Sequence, residues 1–215
     1  MLKPTATGLD LLPAWFLRMR ALFFARPLVG MFNLSIATLF APHQWKQANI
    51  RPIQKMLSPV QHLDFRLISI TSGLSRIIDR TDVSHFLYPA FNAQPPPGIS
   101  FANQFAFRPI GSTRAAIVAI LHTVTYPLAT NSYVIVISLD FSKAFDTVRH
   151  WTLMQKMAKL DVPDYLYNWL VDFFFNDRTH DKEYLGNKSD FVKITASIIQ
   201  GSGVGPAAFV VKAAD

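Results

Sequence analysis

Residues 133–139, with the sequence YVIVISL, form the segment that most constrains the fold of this chain. A nearly unbroken run of β-branched residues is typical of a strand buried on both faces of a sheet. Helical apolar patterns flank this run, at about residues 113–125, 150–160 and 164–175, with Ser112 or Thr113 as the cap of the first. The sequence therefore predicts an α+β fold with a buried central strand.

The other elements follow from local patterns of the same kind. Helical periodicity extends from about Ala14 to Leu39, with a break expected near Pro27, and again from about Gly73 to Phe86. A two-stranded ribbon is predicted over 47–56 and 64–71. The proline-rich loop over 92–100 is the best internal division of the chain. A weak strand or hairpin is predicted over 182–195, and a glycine-rich turn over 200–206 leads into a final apolar segment.

The charge of the chain is unevenly distributed. The formal net charge is +7, and residues 1–80 contain ten of the 21 basic residues but three of the 14 acidic ones. This basic third suggests a polyanionic partner, since lysine and arginine neutralise phosphates, although a generic solvated basic face is an equal alternative. The absence of cysteine excludes disulfides, thiolate metal sites and a cysteine nucleophile.

Residues 21–40 have roughly the length that a membrane-spanning helix needs. Arg26, Pro27 and Asn33 interrupt the segment, and an arginine inside hydrocarbon is costly. We therefore interpret the segment as a buried helix and expect no membrane partner.

Asp140 follows the predicted strand directly, within the sequence LDFSKAFD at 139–146. Sheet proteins often place catalytic and metal-binding carboxylates at the end of a buried strand. Mg²⁺ prefers oxygen ligands, commonly one or two carboxylates together with phosphate oxygens. Asp140 is thus a candidate metal ligand, and the alternative is that it only caps the following turn.

The glycine-rich sequence QGSGVGP at 200–206 does not fit the known phosphate-binding motifs. The glycine spacing differs from a dinucleotide fingerprint, and a Gly-Lys-Ser/Thr triplet is missing. By itself the segment predicts a turn.

Lys55 and Arg66 lie one on each strand of the predicted ribbon and are candidates for binding a triphosphate. The alternative is that they are two ordinary surface charges. Hydrolase chemistry is disfavoured, because no His-x-x-x-His or Gly-x-Ser-x-Gly motif occurs.

Taken in chain order, these segments resemble the reverse transcriptase domain of non-LTR (LINE-type) retrotransposons, and the resemblance covers nearly the whole chain. The similar segments are NLSI at 33–36 with PHQWK at 42–46, IRPIQK at 50–55, DFRLISI at 64–70 with Leu67 in place of the usual proline, QFAFRP at 104–109 followed by GST at 111–113, LDFSKAFD as motif A, and QGSGVGP as motif B. Several matches in the order of the family make the resemblance highly specific.

The resemblance implies a right-hand polymerase, with residues 1–110 as fingers and 111–215 as a partial palm whose antiparallel sheet is incomplete. It implies RNA-directed DNA synthesis from dNTPs on an RNA template and a DNA primer, with two Mg²⁺ ions, in the cytoplasm or nucleus. The implied site residues are Asp140 and the carbonyl of Phe141 for metal, Lys55 and Arg66 for the triphosphate, Phe145 as the steric gate against the ribose 2′-hydroxyl, Gln200 and Gly201 beside the nucleotide and template, and Arg108 for nucleic acid.

One part of the family pattern is missing from the sequence. Motif C of the family supplies further metal-binding carboxylates as an Asp-Asp pair, and no such pair occurs here. We therefore expect a fragment that ends before motif C and the thumb and does not polymerise alone. The alternatives are a non-catalytic nucleic-acid-binding remnant, a group II intron or retron polymerase, and a fragment unstable through exposed apolar surface. The oligomeric state does not follow from the sequence.

Overall fold

The computed structural model describes residues 7–93, 96–141, 144–194 and 196–214. Within these residues the helices are α1 (Ala14–Met19), α2 (Ala21–Ala37), α3 (Gly73–Asp82), α4 (Tyr88–Asn92), α5 (Thr113–Leu128), α6 (His150–Met157), α7 (Asp164–Phe175) and α8 (Val204–Ala213). The strands are β1 (Gln47–Gln54), β2 (Phe65–Thr71), β3 (Thr179–Tyr184), β4 (Asn187–Lys188) and β5 (Val192–Lys193). Pro95, Ser142, Lys143 and Thr195 of the predicted segments lie outside the described residues.

The strands form one mixed sheet in the order β2-β1-β3-β4, with β5 also paired to β3. The predicted ribbon is confirmed, because β1 and β2 pair antiparallel and place Ile53 opposite Arg66. β3 runs parallel to β1, with Ile50 opposite Lys182. This parallel pairing joins residues more than 130 positions apart, and it turns the local ribbon into a sheet that reaches the C-terminal half of the chain.

Local sequence signals explain where several helices begin. The Ser72 hydroxyl accepts a hydrogen bond from the Ser75 amide at 3.0 Å, and the Ser112 hydroxyl accepts one from the Ala115 amide at 3.1 Å. Both serines therefore cap the orphan amides at the starts of α3 and α5, as predicted for the second. No helix among the described residues has both the length and the apolarity that a membrane crossing demands.

The break predicted at Pro27 is wrong. Pro27 lies inside α2, and the helical segment is instead interrupted at Arg20, where φ is −107° and ψ is 21°. A proline inside a helix removes one backbone hydrogen bond but has a φ compatible with the helix. α2 is mostly exposed on both sides of Pro27, and its only fully buried residue is Ser35. The expectation that residues 21–40 form a buried helix is therefore also not met.

The hydrophobic core lies between α3, α4, α6, α7 and α8. Its largest fully buried side chain is Trp169 on α7, which has no exposed surface and stacks on Phe173 with 4.7 Å between the ring centroids. α8 contributes small buried residues such as Ala207 and Val210, so it packs closely against its neighbours. The core thus forms from the last third of the chain together with the helices that follow the ribbon.

The prediction of a buried strand over residues 133–139 is wrong in this structure. The segment has no regular secondary structure and makes no strand pairing, and Ile135, Ile137 and Leu139 are each more than 75% exposed. The preceding helix α5 buries none of its residues. A β-branched run becomes a strand only when another strand satisfies its backbone groups. Among the described residues, none pairs with this run.

The exposed run at 133–139 predicts self-association of the chain. Unpaired backbone groups and contiguous apolar side chains favour pairing with another copy. We expect the chain to form oligomers at micromolar concentration, and the double substitution Ile137→Lys/Leu139→Lys to shift it towards monomer in sedimentation velocity. The matched control is Leu57→Lys/Val60→Lys, which adds the same charge at two highly exposed loop residues. An equal shift in the control would attribute the effect to net charge instead of the run.

Candidate nucleotide site

A cavity of about 820 Å³ opens between the β1–β2 ribbon and the glycine-rich turn. It brings together residues from the separate sequence motifs. The residues that line it are Lys55, His62, Leu63, Phe65, Arg66, Leu67, Phe107, Phe141, Ala144, Phe145, Asp146, Lys182, Ile199, Gln200, Gly201 and Pro206. Six of the predicted site residues are in this set, and Asp140 and Arg108 are not.

The cationic side of the cavity is formed by the sheet. Lys55 follows the end of β1, Arg66 lies near the start of β2, and Lys182 lies on β3. The Lys55 ammonium group donates a hydrogen bond to the Leu63 carbonyl at 2.7 Å, whereas Arg66 and Lys182 make no side-chain hydrogen bond or ion pair with the described residues. Asp146 is the one carboxylate among the lining residues. The excess of positive charge makes this cavity suited to a polyanionic ligand.

The loop that carries Lys55 is held by Asp64. The amides of Val60 and Gln61 both donate to the Asp64 carboxylate at 2.9 Å, and the Lys55 amide donates to the Asp64 carbonyl at 2.8 Å. The two backbone hydrogen bonds from Gln61 and Val60 lower the pKa of Asp64. The carboxylate at the start of DFRLISI thus orders the tip of the ribbon.

The opposite wall of the cavity is aromatic. Phe145 stacks on Phe209 of α8, with 4.8 Å between the centroids and 22° between the ring planes. Phe107 packs edge-on against both rings, at 6.1 and 5.8 Å. Two neighbours therefore restrict the Phe145 ring, and an aromatic side chain held in this way presents a rigid apolar surface to a ligand.

The glycine-rich turn approaches the edge of β2 closely. The Ser69 amide donates to the Gln200 carbonyl at 2.8 Å. Gly201 has a φ of +114°, and a Cβ added there would lie 2.4 Å from the Ser69 carbonyl oxygen. Only glycine tolerates this conformation and this approach. The requirement explains the glycine after Gln200 without reference to a ligand.

Asp140 is exposed and lies outside the cavity lining, although its neighbour Phe141 lines it. The Asp140 carboxylate and the Phe141 carbonyl are oxygen donors of the kind that Mg²⁺ prefers. However, residues 7–93, 96–141, 144–194 and 196–214 contain no group of three or more His, Asp or Glu side chains placed to hold a metal. One carboxylate and one carbonyl do not suffice for two ions.

Arg108 is engaged by the chain itself. Its guanidinium group donates to the carbonyls of Phe101 and Phe91, the latter at 3.2 Å, and lies 5.8 Å from the centroid of the Phe101 ring. These contacts tie the segment before α5 to the end of α4. They support a structural role, and its predicted contact with nucleic acid stays a prediction.

A cluster of buried charges lies behind the glycine-rich turn. Asp79, Asp82 and Arg178 are each no more than 1% exposed. Burial raises the pKa of Asp79 to about 6, against the opposing effect of Arg178, and burial together with repulsion from Asp79 raises the pKa of Asp82 to about 7. Burial lowers the pKa of Arg178 to about 10, so the guanidinium stays charged at neutral pH.

The raised pKa of Asp82 predicts a stability effect that depends on pH. Below pH 4 the carboxyl is largely neutral in both states. Between pH 4 and 7 the folded chain retains a proton that the unfolded chain releases, so stability falls as pH rises through this window. Asp82→Asn removes the buried charge, and we expect it to stabilise the chain by about 2 kcal/mol at pH 8 and by almost nothing at pH 4. Urea denaturation at the two pH values measures this difference. An equal effect at both would contradict the assignment.

Comparison with known sequences identifies the class of protein to which this fold and cavity belong. The sequence pattern described as "Reverse transcriptase (RNA-dependent DNA polymerase)" matches residues 54–214, and the chain belongs to this family. The mixed α and β architecture with a mixed sheet is consistent with this assignment.

Two mobile-element proteins of Drosophila melanogaster are similar to the chain. It is 29% identical over 214 residues to "RNA-directed DNA polymerase from mobile element jockey", covering 98% of this chain and 22% of that protein. It is 27% identical over 186 residues to "Probable RNA-directed DNA polymerase from transposon BS", covering 86% of this chain and 20% of that protein. The resemblance to retrotransposon reverse transcriptases is confirmed. The chain spans about a fifth of the length of these curated relatives.

Proposed function

We propose that this chain is a reverse transcriptase domain fragment of a retrotransposon. The parent protein would be an RNA-directed DNA polymerase that transfers deoxynucleotides to a primer 3′-hydroxyl on an RNA template. The observation that carries the proposal is the convergence of Arg66, Phe145 and Gln200 on one cavity, although they lie far apart in the chain. In this assignment residues 1–110 are the fingers and 111–215 are part of the palm.

Within the cavity we assign each wall to one part of a deoxynucleoside triphosphate. Lys55 and Arg66 bind the triphosphate, because arginine forms a bidentate fork with phosphate and lysine adds a point charge. Phe145 is the steric gate, since a rigid ring below the sugar rejects a 2′-hydroxyl by collision. Gln200 and Gly201 lie on the template side. Their position beside the ribbon supports this assignment.

The catalytic metals of the parent are assigned only in part. When bound, two Mg²⁺ ions would stabilise the charge on the attacking and leaving oxygens. Asp140 and the carbonyl of Phe141 are the donors that this chain offers, and they do not form a two-ion site. No catalytic step therefore follows for this chain alone, and we expect it to bind a nucleotide without extending a primer.

Nucleotide binding tests the proposal directly. Isothermal titration of the chain with dATP and with ATP should show binding of both, with preference for dATP, and Phe145→Ala should reduce the preference. Phe86→Ala is a suitable control, because Phe86 is likewise a partly buried phenylalanine packed against the core and lies outside the cavity. Absence of binding, or equal affinities that Phe145→Ala leaves unchanged, would refute the nucleotide assignment. Primer extension on RNA would refute the expected inactivity.

A second candidate function is binding of RNA without catalysis. α1, α2 and Arg20 between them contain no acidic residue, and this segment exposes Arg18, Arg20 and Arg26 together with Trp15 and Phe23. Arginines among exposed aromatic rings bind single-stranded nucleic acid through phosphate contacts and stacking. Salt-dependent RNA binding that Asp140→Ala leaves unchanged, without any nucleotide binding, would favour this alternative.

A further inference from the structure

The glycine-rich turn, defined here as residues 200–203, is held from three directions. Ser69 on β2 donates to the carbonyl of Gln200, and the Ser202 hydroxyl accepts from the Gly205 amide, in the first turn of α8, at 2.9 Å. The third contact comes from α3, where the Asp79 carboxylate accepts from the Gly203 amide at 3.2 Å. Among the described residues, Asp79 supplies the only side-chain hydrogen bond to the turn from another element.

The contact between Asp79 and Gly203 is close and leaves little freedom. A Cβ added to Gly203 would lie 2.9 Å from the Cβ of Asp79 and 3.2 Å from the amide nitrogen of Arg80. The glycine therefore allows α3 to approach the backbone at the start of α8. This contact links α3 to the backbone that carries Gln200 and Gly201 along the cavity.

Arg178 provides the charge that balances the Asp79 carboxylate. Its Nε donates to the Phe173 carbonyl at 2.8 Å, and its guanidinium lies 4.5 and 5.0 Å from the ring centroids of Phe173 and Phe174. The guanidinium opposes the rise in the pKa of Asp79 that burial causes. Among the described residues the two groups make no direct ion pair or hydrogen bond with each other, so the guanidinium acts on the carboxylate through its charge alone.

We infer that Asp79 is a positioning residue that sets the glycine-rich turn in the geometry needed for nucleotide binding, through its hydrogen bond from the Gly203 amide. This inference rests on the proposed nucleotide site, although Asp79 does not line the cavity. It assigns a role in nucleotide affinity to a carboxylate that contacts no nucleotide. The role is transmitted through a single backbone amide.

Two readouts on the 215-residue chain test this role. Asp79→Asn should weaken dATP binding by about tenfold and accelerate hydrogen exchange of the peptide 199–205, since small displacements of a binding group are costly. Asp82→Asn is the matched control, because it removes a buried carboxylate one turn further along α3 that makes no hydrogen bond to the turn. The control should neither weaken dATP binding nor accelerate exchange of this peptide.

The variant Asp79→Leu/Arg178→Met provides a second test in case Asp79→Asn does not fold, because Arg178 loses its counter-charge in Asp79→Asn. The double variant removes both buried charges and should fold, yet still bind dATP more weakly than the native chain. Unchanged affinity in a folded Asp79 variant, or equal acceleration of exchange in Asp82→Asn, overturns the inference. A native chain that binds no dATP refutes the proposed function, and the exchange comparison alone then decides whether Asp79 holds the turn.

Discussion

Replacing both Lys55 and Arg66 by alanine is expected to lower the affinity of the chain for dATP by about 100-fold. Each cation can make charge-assisted hydrogen bonds to phosphate, worth about 1.5–3 kcal/mol apiece. Arg66 lines the cavity without any ion-pair partner among the described residues, so its guanidinium is available to a ligand. Isothermal titration at a fixed ionic strength of about 0.1 M limits the contribution of long-range charge effects.

A charge-matched control separates local contacts from net charge. Arg18→Ala/Arg114→Ala removes two positive charges from exposed residues of α1 and α5 that do not line the cavity. This variant should bind dATP with almost native affinity. Arg66→Lys should show an intermediate loss, because it retains the charge but not the bidentate geometry. If the control weakens binding as much as the cavity variant, the triphosphate assignment is wrong.

Trp169→Ala is expected to destabilise the chain by about 4 kcal/mol, which is a large fraction of the stability of an ordinary domain. Trp169 is fully buried, stacks on Phe173, and donates from its indole nitrogen to the Ser35 hydroxyl at 2.9 Å. The Ser35 hydroxyl in turn donates to the Phe40 carbonyl at 2.6 Å. Loss of the indole therefore opens a cavity in the core and releases the contact between α7 and α2.

Urea denaturation followed by far-ultraviolet circular dichroism measures this effect. Trp151→Ala is the matched control, because Trp151 is 67% exposed on α6 and should cost less than about 0.5 kcal/mol. Trp169→Phe should fall between them, since it keeps an aromatic ring but loses the hydrogen bond to Ser35. Equal unfolding midpoints for the two alanine variants would show that α7 does not anchor the core.

The agreement between sequence and structure is best where the signal is local. α7 occupies the predicted residues, because its apolar period is strong and Pro163 precedes it. The β1–β2 ribbon was predictable for the same reason, since the two strands are close in sequence. The last strand region was predicted less well, because β3 begins at Thr179 and its pairing depends on β1.

In the candidate site, too, the residues identified by local motifs were predicted, whereas those placed by long-range contacts were not. Lys55, Arg66, Phe145 and Gln200 were predicted from motifs and lie around one cavity, and their roles stay predictions. Lys182 was missed because its place beside β1 results from a long-range pairing. The sequence did not indicate that Asp79 is buried, because the buried face of α3 also contains the polar residues Ser75, Arg76 and Asp82. Burial of Arg178 was not indicated either.

The sequence by itself determined the family, the ribbon, most of the helices and six of the sixteen residues that line the cavity. These features depend on caps, periodicity and motifs that act over a few residues. The tertiary structure decided that residues 133–139 remain exposed, that Lys182 joins the cavity, and that Asp79 contacts Gly203. Each of these depends on which distant segments pair or pack, and local propensity does not encode that choice.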